Sequence, residues 1–161
     1  MVNVAVLVVS SKVYSGENPD NGLGEFKRIL EENEVKIVAY EVVRDDRTEI
    51  RDRLRVLSDS LGPHVIFTVG GTGVRPTDWA PEATRDVIDK EVPGIGEAMR
   101  NESLKKVRTA MLSRGIAGIR RTTLIVNLPG SPKGARDNLA VLLPILEHTV
   151  EKISRVSSTP G

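Results

Sequence analysis

Cysteine is absent from all 161 residues, which excludes disulfide frameworks, thiolate metal sites and cysteine nucleophiles. Histidine is scarce as well: His64 and His148 are too few for a histidine-rich metal cluster. Aromatic residues make up 3% of the chain, against the stacking platforms that bind single strands. Neither sign of charge dominates, because 23 Lys+Arg against 22 Asp+Glu leave a net +1 without the basic excess of a nucleic-acid protein. The first apolar run, VNVAVLVV from Val2 to Val9, has no basic residue before it and no small-residue cleavage site after it. It is too short to span a bilayer and reads as a buried strand. The expected partners therefore include no nucleic acid and no membrane, and the expected location is the cytoplasm.

Strand-length apolar runs alternating with segments of helical period point to an α/β protein with a largely parallel sheet. The strand candidates are VNVAVLVVS from Val2, VKIVAYEVV from Val35, HVIFTVG from His64 and TTLIVNLPG from Thr122. Three of them are near-continuous Val/Ile/Leu runs, as expected when helices cover both faces in a three-layer αβα arrangement. Leu23, Phe26 and Leu30 recur at helical spacing, as do Ile50, Leu54, Leu57 and Leu61, with Glu49 and Arg53 spaced as a supporting ion pair. The last stripe runs through Leu139, Leu142, Leu143, Leu146, Val150 and Ile153, and Pro144 inside it should kink the helix or divide it. Residues 1–153 are expected to form one domain burying roughly two-thirds of its unfolded surface, followed by a frayed tail over 154–161.

Ligands of open parallel sheets bind beyond the carboxyl ends of the strands. Four loops leave strands there: Ser10 to Gly24, Arg44 to Thr48, Gly70 to Ala80 and Pro129 to Gly134. Gly70-Gly71-Thr72-Gly73 lets the backbone approach a ligand, and its N–H groups with the Thr72 hydroxyl would form an anion site. The same four residues are also compatible with a plain turn. They form neither a Walker A loop, since no GK[ST] follows, nor a dinucleotide fingerprint. In PGSPKG, Ser131 could cap a helix and Lys133 could meet a phosphate.

Asp78 has two readings, a helix cap made useful by the poor capping residue Ala80, or a hard oxygen ligand for Mg²⁺. Asp45 and Asp46 likewise suit a helix start, yet a carboxylate from the second strand would face the glycine loop across the same rim. Ser113 and Arg114 follow MRNESLKKV, and neither histidine is near enough in sequence to argue a Ser-His-Asp triad. His64 is expected to be a satisfied edge residue, and Trp79 a packing anchor or a flat lid on a heterocycle.

Taken together, GGTG with Asp78 and PEAT, EVPGIGEAMRNESL, AMLSRGIAGIR and TTLIVNLPGSPKG resemble the molybdopterin adenylyltransferase family, the MogA/MoaB type that includes the G domain of gephyrin. The resemblance spans about residues 3–153. It implies transfer of AMP from Mg-ATP to the molybdopterin phosphate with release of pyrophosphate, in molybdenum or tungsten cofactor biosynthesis. It further implies catalytic roles for Asp45, Asp78 and Ser113, with Mg²⁺ at Asp45 and Asp78. Nucleotide and pterin-phosphate contacts are implied for Ser10, Gly70, Gly71, Thr72, Gly73, Ser103, Pro129, Gly130 and Ser131. ATP and molybdopterin are the implied substrates, a trimer or hexamer the implied assembly, and a molybdenum-insertion protein the implied downstream partner.

Some positions depart from the family pattern. Val43-Arg44-Asp45 stands where V-P-D is common, and Asp78-Trp79-Ala80-Pro81 where D-x-T-P is. The first loop reads Ser10-Ser11 and Asp20-Asn21-Gly22 in place of S-D and D-x-S-G. The alternative to an enzyme is a non-catalytic molybdopterin-binding or scaffolding protein of the MoaB branch.

Overall fold

A computed structural model describes residues 1–18 and 22–154, so Asp20, Asn21 and the tail from residue 155 lie outside the described residues. The four expected apolar runs form β1 (Val2–Val9), β2 (Val35–Val43), β3 (Val65–Val69) and β6 (Thr123–Leu128), all parallel to one another. Two short strands, β4 (Lys90–Glu91) and β5 (Ala117–Arg120), extend the sheet in antiparallel fashion, giving the order β2-β1-β3-β6-β5-β4. Neither short strand is marked in the sequence, because two and four residues carry too little alternation to register.

The continuous apolar runs follow from a sheet covered on both faces. Val4, Val6 and Val8 of β1 face one core together with Phe67 and Val126, while Ala5, Leu7 and Val9 face the other together with Ile66 and Ile125. The first core is closed by α2 (Gly24–Glu32), α5 (Pro93–Leu104) and α6 (Pro132–Ser154), which contribute Phe26, Met99 and Leu139. Phe26 meets Phe67 edge to face at 6.0 Å, a favoured aromatic geometry. The second core is closed by α3 (Arg47–Val56) and α4 (Ala80–Arg85) through Ile50, Leu54 and Ala83. A short helix α1 (Ser11–Tyr14) follows β1 directly. This is the three-layer αβα arrangement expected.

Local expectations are corrected in three places. Glu49 and Arg53 do not pair: Glu49 takes Arg44, and Arg53 bonds Glu41 on β2 at 2.8 Å, because a tertiary partner outcompetes the same-helix one. The α3 stripe runs on through a π-helical turn, Leu57–Leu61, whose wider winding carries Leu61 out to 47% exposure while Leu57 stays buried. Pro144 does not divide α6, which is one helix of 23 residues. Pro144 and Ala140 are both exposed, so water can satisfy the Ala140 carbonyl that loses its helical donor. His64, as expected, is satisfied: its Nδ1 accepts the Asn3 N–H at 2.9 Å.

A polar network is built into the second core beside the carboxyl ends of β3 and β6. The Asn127 amide donates to the Thr68 hydroxyl at 2.8 Å and to the Thr84 hydroxyl at 2.9 Å, and its carbonyl accepts the Ile116 N–H at 3.2 Å. One side chain thus joins two strands, α4 and the approach to β5, with every amide atom used. Asn127→Leu preserves approximate volume but strands the Ile116 N–H in a dry site. We expect a loss of about 2–4 kcal/mol, read as a lower urea midpoint at unchanged m-value. A midpoint within error of the wild type would show that the network is not structural.

Candidate active site

The rim at the carboxyl ends of β1, β3 and β6 is shaped by how closely the glycine loop folds over it. The Gly70 N–H donates to the Leu128 carbonyl at 3.0 Å, and its φ of 111° lies where side chains are strained. A Cβ there would stand 2.4 Å from the Val9 carbonyl oxygen, so only glycine fits. The Gly71 carbonyl accepts the Ala80 N–H at 3.0 Å, tying the loop to the start of α4.

The loop forms the floor of a wide cleft of about 680 Å³. Gly70, Gly71, Thr72, Gly73, Gly130 and Ser131 line its middle, with Ser10 and Asp45 on the first-strand side. Lys12, Arg75 and Thr77 also border it, which adds two cationic side chains that pattern reading did not select. Ser10 caps α1, accepting the Val13 N–H at 3.2 Å. The adjacent acids divide the two roles left open by the sequence. Asp46 caps α3 through the Glu49 N–H at 2.9 Å, whereas Asp45 faces the cleft. Asp45 and Ser11 hold each other reciprocally: Asp45 Oδ2 accepts the Ser11 N–H at 3.0 Å and the Asp45 N–H donates to Ser11 Oγ at 2.9 Å.

A second, smaller cavity of about 250 Å³ lies beside the cleft. Ser103, Ser113 and Pro129 line it, together with Arg100 and Asn138. Arg100 donates to the Gly115 carbonyl at 2.7 Å, which pins the Ser113 segment to α5, and Asn138 donates to Ser103 Oγ at 2.7 Å. Thr72, Gly73 and Ser131 border both spaces. Ser131 also caps α6 by accepting the Gly134 N–H at 3.1 Å, while Lys133 lines neither space.

Asp78, expected as a catalytic and metal-binding residue, lines neither cavity. It does not cap α4 either, whose cap position is Trp79 without a side-chain bond. Its side chain is 1% exposed, and Oδ2 accepts the Arg75 N–H at 2.9 Å while the Arg75 guanidinium stands 3.4 Å away. A Cβ on Gly73 would meet Asp78 Oδ2 at 2.9 Å, so the glycine makes room for the carboxylate under the loop. Trp79 lines neither cavity; it is 37% exposed with the Arg47 guanidinium 6.0 Å above its ring.

Arg114 supports the loop from behind. Its N–H donates to the Thr72 carbonyl at 2.8 Å, and its guanidinium to Gly73 O at 2.7 Å, Asp78 O at 2.9 Å and Glu82 Oε2 at 2.6 Å. Arg75, Arg100 and Asn138 escaped the sequence reading because lone polar residues in helices and turns carry no spacing signal. The role of Arg114 depends on contacts 32–41 residues away.

Burial raises the pKa of the Glu82 carboxyl, but the Arg114 hydrogen bond, its own backbone N–H and the neighbouring arginine charges together leave it below the usual glutamate value. A depressed carboxylate contributes stability that is complete above the unfolded-state value and is lost as the pH falls through the folded one. Stability is therefore expected to drop below about pH 4, and Glu82→Gln should flatten that acid limb in urea titrations at stepped pH. Identical acid limbs in the two proteins would contradict the pairing.

The arrangement is two adjoining spaces with a common polar wall, one wide and flanked by cations, the other small and lined in part by α5 and α6. Proteins of known kind resemble this chain in sequence and fold. The sequence is 38% identical over 154 residues to the molybdopterin adenylyltransferase of Helicobacter pylori, covering 94% of this chain and 88% of that one. It is 36% identical over 140 residues to that of Escherichia coli, covering 86% and 72%. The fold matches the molybdopterin biosynthesis enzyme MoaB of Thermus thermophilus with a TM-score of 0.90 and 45% identity, over 96% of this chain and 97% of that one. It matches the tungsten cofactor synthesizing protein MoaB of Pyrococcus furiosus with a TM-score of 0.81 and 29% identity, over 96% and 98%. Because the family model described as "Probable molybdopterin binding domain" matches residues 5–148, and with them every residue that lines the two cavities, the chain belongs to that family.

Proposed function

We propose that this chain is a molybdopterin adenylyltransferase, an enzyme of molybdenum or tungsten cofactor biosynthesis that moves AMP from ATP to the molybdopterin phosphate. The observation that carries this reading is the wall of Thr72, Gly73 and Ser131 shared by both cavities. A transfer between two phosphate-bearing substrates needs their phosphates side by side and the rest of each molecule held apart. In this reading ATP occupies the wide cleft, and molybdopterin enters the small cavity beside Ser103 and Ser113.

An oxygen of the molybdopterin phosphate attacks the α-phosphorus of ATP, forming the new P–O bond as the bond to pyrophosphate breaks and pyrophosphate leaves with the electron pair. The attacking phosphate is already ionised, so no strong base is required, and positioning and charge neutralisation supply the catalysis. The loop N–H groups beyond Gly70, the Thr72 and Ser131 hydroxyls, Lys12 and Arg75 face the phosphates. Ser113 and Ser103 hold the molybdopterin phosphate end beside Pro129, and Gly130 borders the ATP cleft.

Mg²⁺ would supply charge neutralisation on the phosphates when bound. Asp45 fits it: Oδ2 is taken by the Ser11 N–H, and the other carboxylate oxygen has no protein partner among the described residues. No group of three or more acidic or histidine ligands is gathered among the described residues. That suits an ion which takes one or two carboxylates and completes its shell with phosphate and water. Asp78 then acts from under the loop, orienting the phosphates through Arg75 and adding negative charge near the ion.

No helix among the described residues is long and apolar enough to cross a membrane, in keeping with a cytoplasmic enzyme. Leu104, Val107, Met111 and Leu112 are all exposed within nine residues of sequence, which supports a homo-oligomer, a trimer or a hexamer. The adenylylated product would pass to a protein that inserts the metal.

Incubation with molybdopterin, ATP and Mg²⁺ should yield pyrophosphate and adenylylated molybdopterin in equal amounts. Folded protein that binds molybdopterin and forms no product would instead make it a non-catalytic binding or scaffolding member. In Asp78→Asn the amide oxygen still accepts the Arg75 N–H, so the melting temperature should change little. Turnover should fall about 10²–10³-fold, the scale of losing one preorganised electrostatic group. Normal turnover per folded molecule in that variant would remove Asp78 from the mechanism.

A further inference from the structure

Arg114 lines neither cavity, yet both depend on it. Its immediate neighbours Ser113 and Gly115 border the small cavity, while its backbone and side chain reach the underside of the loop that floors the cleft. Of the four loop and helix acceptors it contacts, three are backbone carbonyls: Thr72, Gly73 and Asp78. The fourth is the Glu82 carboxylate on α4, which accepts at 2.6 Å from one terminal nitrogen and at 3.3 Å from the other. The backbone N–H holds Thr72 and the guanidinium holds Gly73 and Asp78, so one residue fixes both the loop and the turn that follows it. The guanidinium also meets Gly73 at the residue that borders both cavities, and Asp78 at the residue that fixes Arg75.

We propose that Arg114 is a positioning residue that aligns the two substrates' phosphates, by holding the Thr72–Gly73 peptides and the Asp78 turn in fixed register with the Ser113 segment. The proposal rests on the adenylyl-transfer reading, and it separates alignment from binding. Each substrate keeps its own contacts when Arg114 is changed, because the guanidinium touches neither. What is lost is the mutual placement of attacking oxygen and phosphorus, to which rate is far more sensitive than affinity. A rigid fork is required here: a lysine carries the same charge but reaches only one of the three acceptors that the guanidinium spans.

The test compares wild type, Arg114→Lys and Glu82→Gln for turnover, single-substrate affinity, and amide hydrogen exchange over residues 70–79. Arg114→Lys is expected to lower kcat about 10²-fold, the scale of a misplacement of about 1 Å remote from the chemistry. Its dissociation constants for ATP and for molybdopterin, each measured alone, should stay within about threefold of wild type. Exchange over 70–79 should accelerate without a comparable change in β1 or β6. Glu82→Gln, which keeps the carbonyl contacts, should show the same pattern with a loss in kcat of less than about tenfold. It carries the test if Arg114→Lys does not fold. In Arg114→Ala, added guanidinium ion should restore part of kcat.

Unchanged kcat in Arg114→Lys would overturn the proposal. So would a loss of turnover that merely follows the unfolded fraction, or exchange over 70–79 equal to wild type. If wild type itself forms no product, adenylyl transfer is the reading that fails. The exchange comparison then still decides whether Arg114 holds the loop.

Discussion

The close approach of Gly70 to the end of β1 is the constraint from which the rest of the site follows. Its α-carbon sits so near the Val9 carbonyl that no side chain fits, and the loop must turn there with φ at 111°. Gly130 packs against the same atom from the other side, where a Cβ would lie 3.2 Å from the Gly70 α-carbon. Three strand ends, β1, β3 and β6, therefore converge on one glycine. Only a loop pressed this close to the sheet leaves Thr72 and Gly73 as a thin wall with a cavity on each side.

Around that constraint the polar residues divide their work by depth. Asn127 is buried and fully satisfied, and it fixes the strands beneath the loop. Arg114 and Glu82 form a partly buried pair behind it, where a charged hydrogen bond is less screened than at the surface. Lys12 and the 77%-exposed Arg75 border the cleft in water, available to phosphate. The two neighbouring acids show the same economy: Asp46 satisfies the start of α3, which leaves Asp45 facing the cleft. Folding requirements and site chemistry are thus met by adjacent residues.

Much of this was legible in the sequence, for physical reasons. Three near-continuous apolar runs among four strand candidates implied a sheet buried on both faces, and the periodic stripes implied the helices that bury it. Glycine-rich and acidic loops at the strand ends located the rim, and the ordered motifs implied the family. What escaped depends on contacts between distant segments. Arg53 pairs with Glu41 on β2 rather than with Glu49, four residues before it. Asp78 neither caps α4 nor lines the cleft, because Gly73 gives its carboxylate a place under the loop. Arg114 was visible only as a residue beside a serine, since its meaning lies in carbonyls brought to it by the fold.

The central claim is that the two cavities form one reaction site joined at Thr72, Gly73 and Ser131. Competition binding with adenylylated molybdopterin tests it most directly. A molecule that spans the wall should displace both a fluorescent ATP analogue from the wide cleft and molybdopterin from the small cavity, with one inhibition constant for both. Displacement of only one of the two, or two unrelated constants, would contradict a shared site.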